Sequence, residues 1–262
     1  KALRVFAKAG TAKQPFTGFG DPVLGGESGT RGGVELASLF SRGSVVDVAQ
    51  LRNLGRLPGT AGELKAMAKS LNADEGSVYL GPQATETRVK GMDLSDVRVL
   101  AFATHGLVSG KRSGFNEPGL VLTPPREGTE LDDGILTASE VAQLDLYPGL
   151  VVLSACNTAT EDGSPGAEGL SGLARAFFYA GSRTLLVSHW SINTEAAERL
   201  TTELFREKEI SKRNDNEIGF SEALRRSMKT LANGDDLRFA HPAHWAPFVV
   251  VGEGQRVAQS EF

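Results

Sequence analysis

Two runs of apolar residues stand out because they show no alternation: Val97-Arg98-Val99-Leu100-Ala101-Phe102-Ala103 and Leu150-Val151-Val152-Leu153. Short, β-branched runs of this kind, bounded by turn residues such as Pro148-Gly149, read as strands buried on both faces, the usual state of central strands in a parallel sheet. A third run, Arg183–Ser188, follows a segment from Gly169 to about Ala180 with Leu170, Leu173, Ala174, Phe177 and Phe178 at helical spacing. Strand, crossover helix and strand in that order make a right-handed βαβ unit.

The remaining pattern extends this alternation. Pro15–Pro22 reads as a short strand closed by a Gly-Asp-Pro turn, and Val78-Tyr79-Leu80 as another. Residues 2–9 fit either a helix tail or a strand. Val34–Phe40 and Val45–Leu54 read as short helical pieces separated from a Gly- and Ser-rich loop over 24–33. Thr60-x-x-Glu63 has the spacing of a capping box and predicts a helix over Glu63–Leu71, with Leu64, Met67, Ala68 and Leu71 on one face. A helix near Ala84–Lys90 follows. Gly106–Gly119 reads as a polar loop, Leu120-Val121-Leu122 as an edge strand, and Thr137-x-x-Glu140 as the cap of a short helix ending at Leu144. Asn193 or Thr194 caps a helix to about Glu207, Lys208–Glu217 reads as a charged linker, Phe220–Leu231 as a helix, and Pro247–Val251 as the last strand. The order is doubly wound α/β in one domain over residues 1–262, without internal repeats.

Composition narrows the function classes. With 262 residues, 40% apolar, 23% charged and a net charge of -4, the chain is an ordinary globular protein without the basic footprint of a nucleic-acid binder. No apolar run approaches the ~18 residues needed to cross a bilayer, so no membrane partner is expected. A single cysteine forms no internal disulfide, which suits a reducing, cytoplasmic setting. The first residue is Lys rather than Met, and the chain is expected to be a piece of a longer one.

The chemistry sits at two strand ends. His105 follows the first buried run, and Cys156, the only cysteine, follows the second. Sites in open α/β sheets gather at the carboxyl ends of strands. A thiol beside an imidazole is shifted toward thiolate and becomes a nucleophile. A lone cysteine at a strand end also serves as a small buried hydrophobe, and the residues alone leave both readings open. Other candidates are weaker. Gly18-x-Gly20 lacks the third glycine of a dinucleotide fingerprint because residue 23 is Val, Gly110-Lys111 lacks the rest of a phosphate loop, and Gly169-Leu170-Ser171-Gly172-Leu173 lacks the last glycine of a nucleophile elbow. His241-x-x-His244 has no acidic or thiol ligand beside it and is read as packing under the last strand, so no metal or other cofactor is expected.

Laid out in order, Gly20-Asp21-Pro22, Leu57-Pro58-Gly59-Thr60, Phe102-Ala103-Thr104-His105-Gly106, Gly119–Leu122, Asp133–Glu140, Val151–Thr158, Gly172–Phe177, Ala180-Gly181 and His241–Phe248 resemble the CHAT domain, a bacterial member of the caspase-like cysteine peptidases related to separase. The resemblance covers nearly the whole chain. It implies a caspase-like three-layer sandwich, a mostly parallel central sheet flanked by helices, with peptide bound along the carboxyl edge. It also implies a thioester mechanism run by Cys156 and His105, with the backbone N–H groups of Gly106 and Cys156 as the oxyanion hole. Thr104 or a main-chain carbonyl would orient His105, and Asn157 is a candidate by adjacency only.

The implied P1 pocket comprises Asp21, Ser154 and Ser188-His189-Trp190-Ser191. Asp21 would pair with a basic P1 side chain, although Gly-Asp-Pro is also a good turn by itself. Ser154 stands where arginine-specific relatives often carry an aspartate, and His189 where the family has an apolar residue, so His189 is read as a partly exposed rim. Arg175 is read as an anchor for the loop after Cys156, and Glu161-Asp162 as solvated loop or a processing site. Full-length relatives usually carry upstream helical repeats such as tetratricopeptide units, which would regulate action on a protein or peptide substrate. A catalytically silent scaffold or signalling module is the alternative.

Overall fold

The computed structural model describes residues 12–27, 47–107, 117–155, 169–190 and 193–253, with the backbone alone described for 169–171. Cys156, Asn157, the Glu161-Asp162 loop, Ser191, residues 2–9 and the Val34–Phe40 segment lie outside the described residues.

Five strands of the main sheet run parallel because each is apolar on both sides. These are β1 (Thr17–Gly20), β2 (Val78–Leu80), β3 (Val99–Ala103), β7 (Leu150–Leu153) and β8 (Thr184–Ser188), joined by the antiparallel β9 (Phe248–Gly252) in the order β2-β1-β3-β7-β8-β9. A separate antiparallel sheet holds β4 (Gly106–Leu107), β5 (Gly119–Val121) and β6 (Ile135–Thr137). There β5 is the middle strand, not an edge, and β4 occupies the start of the stretch expected to be loop.

Strand side chains divide between two layers. Val99, Ala101, Ala103, Leu150, Val152 and Leu186 face α2 (Gly59–Ser70), α6 (Thr194–Arg213) and α7 (Phe220–Ala232) through Leu64, Met67, Leu200, Leu204, Phe205 and Leu224. Phe19, Leu100, Phe102, Val151, Leu153, Leu185 and Val187 face α3 (Glu86–Gly91), α4 (Ala138–Val141) and α5 (Gly169–Tyr179). Offset aromatic rings cross that second layer, Tyr79 on Phe19 at 5.2 Å, Phe19 on Phe102 at 5.5 Å and Phe102 on Phe177 at 5.8 Å. A smaller cluster of Leu24, Leu51, Leu54, Leu107, Val121 and Ile135 seats α1 (Val48–Arg52) on the three-stranded sheet.

Several helix limits differ from the sequence expectation. The box at Thr137 forms as predicted, with Glu140 Oε2 accepting from Thr137 N–H at 2.9 Å, although its helix ends at Val141 rather than Leu144. The box at Thr60 does not form. The α2 helix begins earlier, at Gly59, with Pro58 at its cap and no side-chain cap, so Thr60 sits inside the first turn and Glu63 is fully buried. Asn193 caps α6 through Ala196 N–H as expected. That helix runs to Arg213, since the residues read as a charged linker hold helix with Ser211 buried and Lys208 Nζ on the Ile218 carbonyl at 2.6 Å. Lysine and glutamate are good helix formers, and tertiary contact decides such charged stretches. Among the described residues no helix is long and apolar enough to cross a membrane.

Candidate active site

Strand register brings the described candidates Asp21, His105, Ser154 and Ser188 to one edge. Gly20 stands beside Ala103, Phe102 beside Leu153, and Leu153 beside Val187. Ser154 N–H donates to the Phe102 carbonyl at 2.9 Å, so the β3–β7 ladder continues past the end of β7. The row Gly20, Ala103, Ser154, Ser188 therefore crosses the carboxyl edge, small residue by small residue. Asp21, Thr104 and Ala155 stand one step further out. With strands ~4.8 Å apart, Asp21 lies on one side of the His105 strand and Ser188–Trp190 beyond β7 on the other.

His105 is 8% exposed, and its Nε2 lies 2.8 Å from the Gly55 carbonyl. A carbonyl only accepts, so Nε2 carries the proton and the neutral ring keeps its lone pair on Nδ1. The orienting group is thus a main-chain carbonyl. Thr104, the other candidate, is turned elsewhere: its buried hydroxyl donates to the Val121 carbonyl at 2.5 Å. Gly55 is held in place by a parallel bridge with Gly26, whose N–H donates to the Leu54 carbonyl at 3.1 Å. A Cβ on Gly26 would stand 2.4 Å from the Asn53 carbonyl oxygen, so only glycine allows this approach.

Gly106 is buried at the start of β4. Because Val121 N–H donates to the His105 carbonyl at 2.9 Å, Gly106 and Leu120 form a non-hydrogen-bonded pair, and the Gly106 N–H points away from β5. It is spared from the ladder, as a donor to a developing oxyanion must be.

Asp21 takes a positive φ of 44°, and its main chain is held by Thr60 Oγ1 on the N–H at 2.9 Å and by Gly81 N–H on the carbonyl at 3.1 Å. Its Oδ1 is buried without a hydrogen-bond partner among the described residues. Burial pushes the carboxyl above its ordinary pKa, and the nearby Arg56 guanidinium pulls it back in part. Ser154 and Ser188 are buried, whereas the His189 side chain is exposed and its N–H donates to the Pro247 carbonyl at 3.0 Å. Trp190, 43% exposed, reaches the Ala243 carbonyl through Nε1 at 3.4 Å. Of the other histidines, His241 Nδ1 accepts from Ala243 N–H at 3.2 Å and His244 meets Phe239 edge-on. Among the described residues no group of His, Cys, Asp and Glu is arranged to hold a metal ion.

Two contributors escaped the sequence reading. Gly55 acts through a main-chain carbonyl, which no residue type advertises. Thr60 was read as a helix cap and as the last residue of the Leu57-Pro58-Gly59-Thr60 piece of the resemblance, neither of which indicates a bond to Asp21.

Tetratricopeptide repeat protein 28 of Mus musculus and its Homo sapiens counterpart are each 28% identical over 200 residues, 66% of this chain, and the match spans 8% of their length. The crystal structure of the Arg specific cysteine proteinase gingipain R superposes with a TM-score of 0.50 at 13% identity, over 97% of this chain and 50% of that one. That likeness is one of fold, a caspase-like α/β sandwich. The sequence pattern of the CHAT domain matches residues 7–253, nearly the whole chain, and the protein belongs to the CHAT domain family.

Proposed function

We propose that the chain is a cysteine endopeptidase. The observation that carries this reading is His105, poised at the carboxyl edge with Nε2 bonded to the Gly55 carbonyl so that Nδ1 is its basic nitrogen. Cys156 follows Ala155 in the chain, and Ala155 stands level with Thr104 on the neighbouring strand.

In the reaction, His105 Nδ1 takes the Cys156 thiol proton, the resulting thiolate attacks the scissile carbonyl, and the negative charge that grows on the carbonyl oxygen is met by the Gly106 and Cys156 N–H groups. The imidazolium at His105 gives its Nδ1 proton to the departing amine, leaving a thioester. The same nitrogen then takes a proton from water as that water attacks the acyl carbon, which frees the acid and returns the thiol. The Gly55 carbonyl keeps the ring turned and stabilises the imidazolium. Asp21, whose carboxyl is partly exposed at the strand end, accepts a basic P1 side chain, with Ser154 and Ser188 beneath the pocket and His189 and Trp190 at its exposed rim. Upstream repeats of the longer protein, suggested by the names of its relatives, govern access to a protein substrate.

Replacing Cys156 by Ala should abolish cleavage of a peptide library by the purified chain while leaving its circular dichroism unchanged, and a mutant that still cuts would refute the dyad. Alkylation of Cys156 should titrate below the ~8.5 of a free thiol. An inert thiol in a folded chain would instead support the silent scaffold.

A further inference from the structure

A φ of 44° at position 21 is left-handed, the territory of glycine, yet the residue there is an aspartate. Such strain persists only where the surroundings determine it, and it gathers at sites that need a fixed group. Here one side-chain hydroxyl is among the groups that determine it. Thr60 Oγ1 accepts the Asp21 N–H at 2.9 Å and donates its own proton to the Leu57 carbonyl at 2.8 Å. Thr60 is 1% exposed, so no solvent competes for either bond. Gly81 N–H closes the other side of Asp21 at 3.1 Å.

The same short stretch that Thr60 pins through Leu57 begins at Gly55, whose carbonyl orients His105. One hydroxyl therefore ties the end of β1 to the segment that holds the base. The carboxyl it positions keeps one oxygen buried with no hydrogen-bond partner among the described residues while the residue stays partly exposed, and a half-desolvated carboxylate at the sheet edge, with the Arg56 guanidinium nearby, favours a further cationic partner at its open side.

We infer that Thr60 is a positioning residue for substrate selection: its hydroxyl, bonded at once to Asp21 N–H and Leu57 C=O, fixes the Asp21 carboxylate to receive the guanidinium or ammonium of a basic substrate side chain. This rests on Asp21 being the pocket carboxylate of the peptidase proposed above. A serine at position 60 keeps both bonds, whereas valine keeps the shape and loses them.

The test uses benzamidine, cationic at neutral pH, as a probe of the pocket. Its binding to the whole chain is measured by calorimetry in the Cys156→Ala background, where no cleavage occurs. Thr60→Val and Asp21→Asn should each weaken binding by about tenfold or more, while Thr60→Ser stays within about threefold of the parent. Should Thr60→Val fail to fold, Thr60→Ala, which leaves space for a water at the vacated hydroxyl, is read by the same criterion.

Unchanged binding in the hydroxyl-less variant, an equal loss in Thr60→Ser, or no benzamidine binding by the parent chain would overturn the inference. The peptidase reading fails separately: a chain that binds benzamidine as expected but cuts no peptide keeps the role of Thr60 and loses the catalytic proposal. With active enzyme, Thr60→Val should raise KM for P1 arginine substrates far more than it lowers kcat for P1 leucine substrates.

Discussion

Asp21 combines a left-handed backbone, a half-buried carboxyl and one oxygen without a hydrogen-bond partner among the described residues. Asp21→Asn keeps the size and the turn but removes the charge, so cleavage after Arg or Lys should fall by about an order of magnitude or more, with little change after uncharged residues. Burial also raises its pKa, which means the carboxylate is lost at a higher pH on acidification than an ordinary Asp. The kcat/KM profile for basic substrates should carry that extra acid limb, and the Asn variant should lack it. The sequence left Asp21 open between turn and pocket: the structure shows the turn, and the pocket role is the one proposed above. His105 was legible from its place after a buried run. Its partner was not, because a carbonyl 50 residues away looks the same in every residue.

At the scale of elements, the loop before β6 is held by a buried ionic clip. Glu86 on α3 accepts from Asp133 and Gly134 N–H, both at 3.0 Å, through Oε2, and bonds Lys90 through Oε1. Lys90 also reaches Glu140 at 2.6 Å and the Leu131 carbonyl at 2.8 Å. Burial, with the Glu140 charge adding to it, pushes Glu86 up to about 7 from 4.5. Between those values the folded chain holds a proton that the unfolded chain has released, so this group's contribution to stability falls as pH rises through the window, by up to roughly 3 kcal/mol. Urea unfolding at pH 5 and pH 8 should show that loss in the parent, and Glu86→Gln should flatten it. A slope unchanged by the substitution would assign the pH dependence to other groups. Glu140 works in the opposite sense, since Lys90 and the Thr137 cap hold its carboxyl below 4.5, and its contribution fades only under more acid conditions. The Thr137 box was readable because both partners lie within one turn. The clip was not, because Glu140 sits on α4, 50 residues from its Lys90 partner on α3, and the N–H groups that Glu86 holds lie in a distant loop.

For the whole molecule, the two helical layers share the same strands: Val152 faces one core and Val151 the other. Loss of either layer exposes the sheet, so unfolding should be a single transition with coincident far-ultraviolet dichroism and tryptophan fluorescence from Trp190 and Trp245. Leu200→Ala, at a fully buried α6 position, should lower stability by about 3 kcal/mol and shift both probes together. Separate shifts would show two independently folding parts. The match covers 8% of the length of the curated relatives.

The sequence alone determined the buried strands, the amphipathic helices and the two strand ends that bear His105 and Cys156, because those features are written in residue type and period over a few neighbouring positions. Tertiary structure decided the rest: the strand order, β5 in the middle of its sheet, the length of α6, the change of Thr60 from helix cap to pin, and the carbonyl that turns the imidazole. Each of these depends on which distant segments meet. Backbone groups carry no side-chain signature, and a hydroxyl bonds whichever donor or acceptor the fold brings within reach.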